Sequence, residues 1–399
     1  MYSEKPLVSI FLPYYNDKKY LENAINAVLN QTYENFELFL FNHASTDGSH
    51  IIAHRFDDPR IKHIDAPENL GAGSGYNLKL TLPQMKGTFL KLLCADDLLK
   101  KDAIENLVNC FIDNPDKDIV FADMDYVDEN LNSLNTKWSK EINMVDFHSD
   151  EKQTLLKIFK GYSHLAFPAA MIRMSAIKDI KIDYTLIMLF DVSLWLKLLI
   201  AGKKIIFLDK SVVDYRISCN QLSNVANSPK ASKIGFFELF QLLNFYLEIK
   251  DIKLVKYLCP CIYSKILKDG DEEFIPFVIS YFFASVLIDD NCGYFKDQQS
   301  IREIWGNTKL FEILQNEDMR IKIQEKFGFG IKEFRAIYSY MAPEVHQFVP
   351  LKERILNKPA RNLSILQIGF IIGRKIFHCI NPMHLVKKFK KTTTKKYTV

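Results

Sequence analysis

The sequence predicts an α/β protein: a mostly parallel sheet with helices on both faces, followed by a mainly α-helical C-terminal region. Three observations carry this reading. Short apolar runs alternate with amphipathic helical stretches through residue 122, the pattern that buries a parallel sheet between helix layers. Three of those runs end in polar turns, at residues 13–16, 42–47 and 95–97, and one edge of an open sheet is where such turns gather around a ligand. Beyond about Asn220 the strand signals largely stop, and residues 230–380 carry helical spacing rich in Phe, Leu, Ile and Tyr.

In chain order, residues 7–12 predict a first buried strand, broken by Pro13-Tyr14-Tyr15-Asn16-Asp17. A helix over about 19–30 sets Leu21, Ala24, Ile25, Val28 and Leu29 on one face. Residues 37–41 predict a second strand, and the polar turn after it suits the capping of a helix near 49–57. A short third strand follows at 60–64. Gly71-Ala72-Gly73-Ser74-Gly75 then opens a helix through Met85, which Gly87 closes. The fourth strand covers 89–94, a helix lies near 100–113, and a fifth strand covers 118–122. After Asp125 the pattern loosens. A helix near 150–160 leads to the apolar stretch 167–172, Leu189-Phe190-Asp191 opens another helix, and 204–208 and 211–216 predict two strands. No repeat of fixed period occurs, which argues against a solenoid. The division is thus 1–225, 226–358 and a basic amphipathic tail, 359–399.

Composition bounds the function classes. At 48% hydrophobic and 25% charged, the chain is globular and outside the disordered range. Seven scattered cysteines argue against a disulfide framework and for a reducing compartment. Cys259-Pro260-Cys261 is too tight a pair for zinc, and no second pair accompanies it. The start has no signal-peptide core, and the longest apolar run, 274–288, carries Pro276 and falls short of a membrane span. A cytoplasmic location is expected. The net charge of +4 hides an asymmetry: residues 352–399 hold 12 Lys and Arg against one acid, Glu353. The body is therefore acidic and the tail basic.

The chemistry concentrates where the fourth apolar run ends in Asp96 and Asp97. Two adjacent carboxylates at a buried strand end repel one another and lose hydration. Either a divalent cation compensates them or one simply caps the next helix. The first turn lacks G-x-G-x-x-G, and no P-loop sequence occurs. The glycine run 71–75 superficially resembles a phosphate-cradling loop, but the rest of either fingerprint is missing and a flexible helix start is the favoured reading.

At this point the residues resemble a family. Pro6-Leu7-Val8-Ser9-Ile10-Phe11-Leu12-Pro13-Tyr14-Tyr15-Asn16, Leu29-Asn30-Gln31-Thr32-Tyr33-Glu34-Asn35-Phe36-Glu37, Ser45-Thr46-Asp47-Gly48-Ser49, Glu68-Asn69-Leu70-Gly71 and Ala95-Asp96-Asp97 look like the inverting glycosyltransferases of family 2. The resemblance spans about residues 5–220. It implies a GT-A fold for 1–225, a nucleotide-sugar donor and Mn²⁺ or Mg²⁺ as cofactor. Carried over by position, Pro13, Tyr15 and Asn16 would line the nucleotide site and His43 would meet the base. Asp96 would contact ribose or metal, and Asp97 would coordinate the metal that bridges the diphosphate. The family's catalytic base is an Asp at a helix start, and Phe190-Asp191-Val192-Ser193-Leu194-Trp195-Leu196-Lys197 fits that place, so Asp191 is the candidate. Read without the family, Asp191 is an ordinary helix cap.

Two departures bear on the site. Asn42-His43-Ala44 stands where the family has Asp-Asp-Gly, which leaves the base to a neutral His able to hydrogen-bond through either ring nitrogen. Tyr215-Arg216-Ile217-Ser218 lacks the family's following His, a frequent metal ligand. The processive-synthase signature Gln-x-x-Arg-Trp is missing, which favours single-sugar transfer.

The resemblance and the tail together imply a non-processive enzyme moving one sugar from a nucleotide diphosphate, with UDP favoured. Its acceptor would be a saccharide or lipid-linked saccharide in bacterial capsule or lipopolysaccharide assembly. The apolar stretch 363–373 with its basic followers suits an interfacial helix on an anionic membrane, which places the protein on the inner face of the cell membrane. A solvated tail behind a last core helix is the plainer reading. No nucleic-acid motif appears. The helical region 226–358 is read as core packing on the catalytic domain or a homo-oligomer contact. The rival function is a catalytically silent sugar-nucleotide or glycan-binding module. A sugar-1-phosphate nucleotidyltransferase would want a Gly-rich basic loop after the first strand, which residues 13–17 are not.

Overall fold

The computed structural model describes residues 5–69, 74–141, 148–161, 163, 165–183, 185–218, 229–285, 296–330 and 333. Four strands build the first half of a nine-stranded sheet: β1 (Val8–Tyr14), β2 (Phe36–Asn42), β3 (Ile61–Asp65) and β4 (Phe89–Leu92). They run parallel in the order β3-β2-β1-β4, joined by crossovers through α1 (Leu21–Leu29), α2 (Ser49–Ala53) and α3 (Ser74–Thr81). Their nearly unbroken apolar sequences follow from burial on both faces. All seven residues of β2 are buried, and β1 buries every position except the half-buried Pro13.

Five more strands complete the sheet: β5 (Leu98–Leu99), β6 (Ile119–Val127), β7 (Ser133–Lys137), β8 (Ala170–Arg173) and β9 (Ile205–Arg216). Between them lie α4 (Ala103–Asp113), α5 (Trp138–Glu141), α6 (Glu151–Phe159), α7 (Met174–Ile177) and α8 (Phe190–Ile200). Here the sheet is mixed rather than mostly parallel. β8 enters antiparallel between β4 and β6, β5 pairs antiparallel with β9, β7 pairs antiparallel with β6, and only β6 and β9 run parallel. Alternation of apolar runs reports that strands exist. It does not report their direction once the connections depart from simple strand–helix–strand spacing.

The two strands expected at 204–208 and 211–216 are one strand, β9, with an irregular register opposite Ala122, Asp123 and Met124. The exposed Asp209 and Lys210 take up the irregularity and break the apolar pattern. β5 is too short and β7 too polar to show a period.

A buried lysine fastens the reversed strand. Lys91 of β4 is fully buried, and its ammonium donates to the carbonyls of Leu92 at 2.8 Å, Ala170 at 3.3 Å and Pro168. Burial pushes its pKa down to about 7.

After β9 come α9 (Pro229–Leu243), α10 (Ile252–Leu258), α11 (Ile262–Ile266), α12 (Ile275–Ser285), α13 (Lys296–Gln315) and α14 (Glu317–Phe327). The chain forms two compact units, Met1–Ile275 with Val286–Arg302 and Pro276–Ser285 with Glu303–Val399. Helices α9, α10 and α11 thus belong to the unit that holds the sheet. Within the second unit, the Phe277 ring packs on Phe327 and Phe329, and Phe283 packs on Trp305. The tail 359–399 and positions 71–73 of the glycine run lie outside the described residues. Among the described residues, no helix is long and apolar enough to cross a membrane.

Gly87 lies where the chain enters β4 against β1. Its N–H donates to Ser9 Oγ at 2.9 Å, and Ser9 Oγ donates to Glu37 Oε1 at 2.6 Å. A Cβ there would sit 2.5 Å from the Ser9 nitrogen, 2.6 Å from Ser9 Oγ and 2.8 Å from the Phe89 carbonyl oxygen, so backbone would have to shift. Gly87→Ala should cost about 1–3 kcal/mol of stability. Urea titration measures it, and an unchanged midpoint would refute the contact.

Candidate functional site

β2, β1 and β4 are parallel neighbours, so their C-terminal ends share one edge of the sheet. That edge carries the three polar turns. Asn16 ties the first turn to the second: its N–H donates to Ser45 Oγ at 3.1 Å, and its Oδ1 accepts from the Thr46 N–H at 2.8 Å. Lys18 N–H donates to Asp47 Oδ2 at 2.9 Å, making a second tie. Both Asn16 (φ 57°) and Ala44 (φ 56°) hold left-handed backbone, which Asn tolerates and Ala does not favour.

An aromatic group forms around His43. Its ring stacks on Tyr76 at 6.3 Å between centroids and meets Tyr15 edge-on at 6.3 Å and Phe41 at 6.4 Å. His43 is 4% exposed, and its Nε2 is buried without a hydrogen-bond partner. Burial lowers its pKa, so the ring is neutral at physiological pH. Tyr15 is 46% exposed and Pro13 half-buried at the end of β1. Beside the group, Asn42 Nδ2 donates to Asp65 Oδ1 at 2.8 Å, and Asn42 Oδ1 accepts from the Ser45 N–H at 2.9 Å.

The acidic turn after β4 is held from behind. Asp97 is fully buried, and its Oδ1 accepts the Arg216 backbone N–H at 3.0 Å. Arg216, itself buried at the end of β9, donates from Nε to the Asp96 carbonyl oxygen at 2.8 Å and from Nη1 to that of Glu129 at 2.6 Å. Its guanidinium lies 4.4 Å from the Tyr20 ring centroid. Asp97 Oδ2 is buried with no hydrogen-bond partner. Burial, and then the neighbouring Asp96, push the Asp97 carboxyl well above the usual carboxylate range. Asp96 is half-buried, and one ligand atom each from Cys94, Asp96 and Asp97 lie within 4.8 Å of one another. Asp17 of the first turn feels the same acids: burial, and then Asp96 and Asp47, raise it to about 6 against the Tyr15 N–H bond.

Asp191 lies in the first turn of α8, where its Oδ1 accepts from its neighbour's N–H (Val192) at 2.7 Å. Burial, and then the charge of Glu238, raise its pKa to about 6. The Cys94 thiol is raised by burial and then by Asp97, Asp96 and Asp191, so the candidate base and the acidic turn share one electrostatic neighbourhood. The residues picked out from sequence therefore form an aromatic half around His43 and an acidic half around Asp96 and Asp97. Sequence reading passed over Cys94, Tyr76, Arg216 and Glu238. Cys94 stood in the quoted strand and carried a signal by its position alone; Glu238, 47 residues beyond Asp191, carried none.

The Asp191 pKa sets a sign for stability. With its folded pKa near 6 against an unfolded value near 4, the folded chain holds more protons in that window, so stability falls as pH rises through it. Asp191→Asn, which keeps the acceptor for the Val192 N–H, should stabilise the chain by about 2–3 kcal/mol at pH 7.5. That gain should vanish below pH 4, and melting curves at the two pH values measure it.

A family model described as glycosyl transferase family 2 matches residues 9–181. The chain is 29% identical over 221 residues to an uncharacterized glycosyltransferase of Methanocaldococcus jannaschii, covering 54% of this chain and 72% of that one. It is 30% identical over 232 residues to an uncharacterized glycosyltransferase of Rickettsia typhi, covering 55% and 67%. Among solved structures, S. aureus TarS 1-349 in complex with UDP-GlcNAc superposes with a TM-score of 0.53 at 17% identity, covering 76% of this chain and 88% of that one. The fold is GT-A, and the chain belongs to glycosyl transferase family 2.

Proposed function

We propose that this glycosyltransferase moves one sugar from a UDP-sugar to a saccharide acceptor, non-processively and with inversion, using Asp191 as general base. The observation that carries the reading is the shared electrostatic neighbourhood of Asp191 and the 94–97 turn at the edge formed by β1, β2 and β4. A carboxyl raised to about 6 is a stronger base than an ordinary Asp and is still ionised at neutral pH. The Asp191 carboxylate takes the acceptor hydroxyl's proton as that oxygen attacks the anomeric carbon. The new bond forms on the face opposite the diphosphate, which leaves with the electrons of the old one.

The acidic turn fits a divalent cation. Asp97 Oδ2 is an orphaned buried acceptor, and the Asp96 and Cys94 ligand atoms are beside it. Asp96 and Asp97 would hold Mn²⁺ or Mg²⁺, which suit carboxylate oxygens, and a bound cation would supply positive charge for the leaving diphosphate. Tyr15 and Tyr76 would flank the nucleobase, with the neutral His43 meeting its edge. Pro13 and Asn16 would shape the ribose side. UDP is favoured because the TarS complexes hold UDP and UDP-GlcNAc, while the altered 42–44 triplet keeps the base a proposal for this chain. The basic, apolar tail supports a lipid-linked or growing surface-glycan acceptor, with the enzyme peripheral on the inner membrane face.

Three experiments test this reading. Asp191→Asn should lower transfer from a UDP-sugar by about 10²–10⁴-fold while UDP binding, measured by calorimetry, stays as in the wild type. Loss of UDP binding would instead make Asp191 structural. Asp97→Asn keeps the acceptor for Arg216 and should lose the Mn²⁺-dependent part of donor hydrolysis; full activity would sink the metal role. Truncation before Leu363 should release the protein from anionic vesicles, and unchanged co-sedimentation would refute the anchor.

A further inference from the structure

Helix α9 delivers an acid to the loop that precedes Asp191. Glu238 is 5% exposed, and its carboxylate accepts three successive backbone N–H groups: Ile187 at 2.5 Å on Oε1, and Met188 at 2.9 Å and Leu189 at 2.8 Å on Oε2. Leu189 is the N-cap of α8 and has no side-chain acceptor to offer, so the cap region draws its acceptor from another helix. Bonds from N–H groups to a buried carboxylate are charge-assisted and short. A second grip comes from the same helix, where Gln241 Nε2 donates to Thr185 Oγ1 at 2.6 Å. The turn is also wedged by close packing. A Cβ on Gly75 would come within 2.5 Å of the Phe190 ring and of the Asp183 carbonyl oxygen.

We propose that Glu238 is a positioning residue for the base: by holding the 187–189 backbone it sets where the first turn of α8 presents the Asp191 carboxylate. The proposal rests on reading Asp191 as the base. Glu238 and Asp191 both lie beyond residues 9–181 matched by the family model. Position and charge act together. After burial, the charge of Glu238 on α9 raises the Asp191 carboxyl, and Asp191 in turn raises the Cys94 thiol in the turn after β4. One residue thus supplies both the rigidity and part of the basicity that proton abstraction asks of Asp191.

The test uses the full chain, a panel of UDP-sugars as donors and two substitutions. Glu238→Gln keeps the side chain's size and one acceptor while removing the charge and the second acceptor. It should leave UDP binding within about twofold and lower kcat by about 100-fold, the scale of an angstrom-sized misplacement. The acid limb of its kcat profile should move to lower pH, a shift that a merely structural role would not produce. Wild-type kcat with an unmoved limb, in a protein that binds UDP, would overturn the proposal. Should Gln unfold the chain, Glu238→Asp retracts the charge by one methylene: a kcat loss with UDP binding intact is expected, and full rate overturns it. Asp191→Asn separates the two failures. An active Asp191→Asn enzyme removes the base reading itself, whereas an inactive one beside a fully active Glu238→Gln removes only the positioning role.

Discussion

The site depends on one constraint: two carboxylates stand at the end of a strand buried on both faces. Left alone, the buried Asp97 would lose its hydration and repel Asp96. The chain answers by bringing the far end of β9 back to the same place. Arg216 gives Asp97 its backbone N–H, gives the Asp96 carbonyl its Nε and reaches Glu129 with Nη1. Residues 119 positions apart are thereby fixed together, and β9 must run parallel to β6 for the contact to form. The geometry of the acidic turn is a product of the second half of the sheet, although its residues belong to the first.

The opposite half of the edge is held by local polar bonds rather than by buried charge. The Asn16 bonds to Ser45 and Thr46 and the Lys18–Asp47 contact lace the turns after β1 and β2 together. Ala44 keeps a left-handed backbone at a position where the family has Gly, so the turn bears a strain of about 1 kcal/mol that a glycine would avoid. That cost persists because the flanking contacts over-determine the loop, with Asn42 holding Ser45 on one side and Asp65 on the other. A rigid loop here keeps the His43 ring against Tyr15 and Tyr76.

How much was legible in sequence follows from the range of each interaction. β1, β2 and β4 announced themselves because burial on both faces demands continuous apolar residues. Asp96, Asp97 and Asp191 stood out because each lies at the junction of a regular element and a turn, and their proposed roles come from the family resemblance. β5, β7 and the direction of β8 were not legible, because β5 has two residues, β7 is polar and mostly exposed, and direction is set by distant partners. The buried role of Lys91 was not legible, because it rests on carbonyls of Pro168 and Ala170 supplied from 77 and 79 residues away. Glu238 lies on α9, and nothing in its local sequence marks it. Its meaning lies in three amides about 50 positions upstream, which no local pattern encodes.

These long-range partners also explain how the acidic turn keeps an open demand for positive charge. Two cations lie close enough to lower the Asp97 carboxyl, Lys91 and Arg216, and a salt bridge from either would have neutralised it. The Lys91 ammonium is instead spent on the carbonyls of Leu92, Pro168 and Ala170, and its pKa near 7 leaves it only partly charged at neutral pH. Arg216 meets Asp97 through its backbone N–H. The turn is therefore braced mainly by dipoles and by charges set at one remove, and Asp97 Oδ2 keeps an unsatisfied lone pair. A carboxylate closed by an ammonium at contact distance would resist a divalent ion, because binding would first have to break that pair. Bracing Asp97 through a backbone N–H fixes it in place while leaving its Oδ2 to be answered from outside, which is the condition the proposed cation requires.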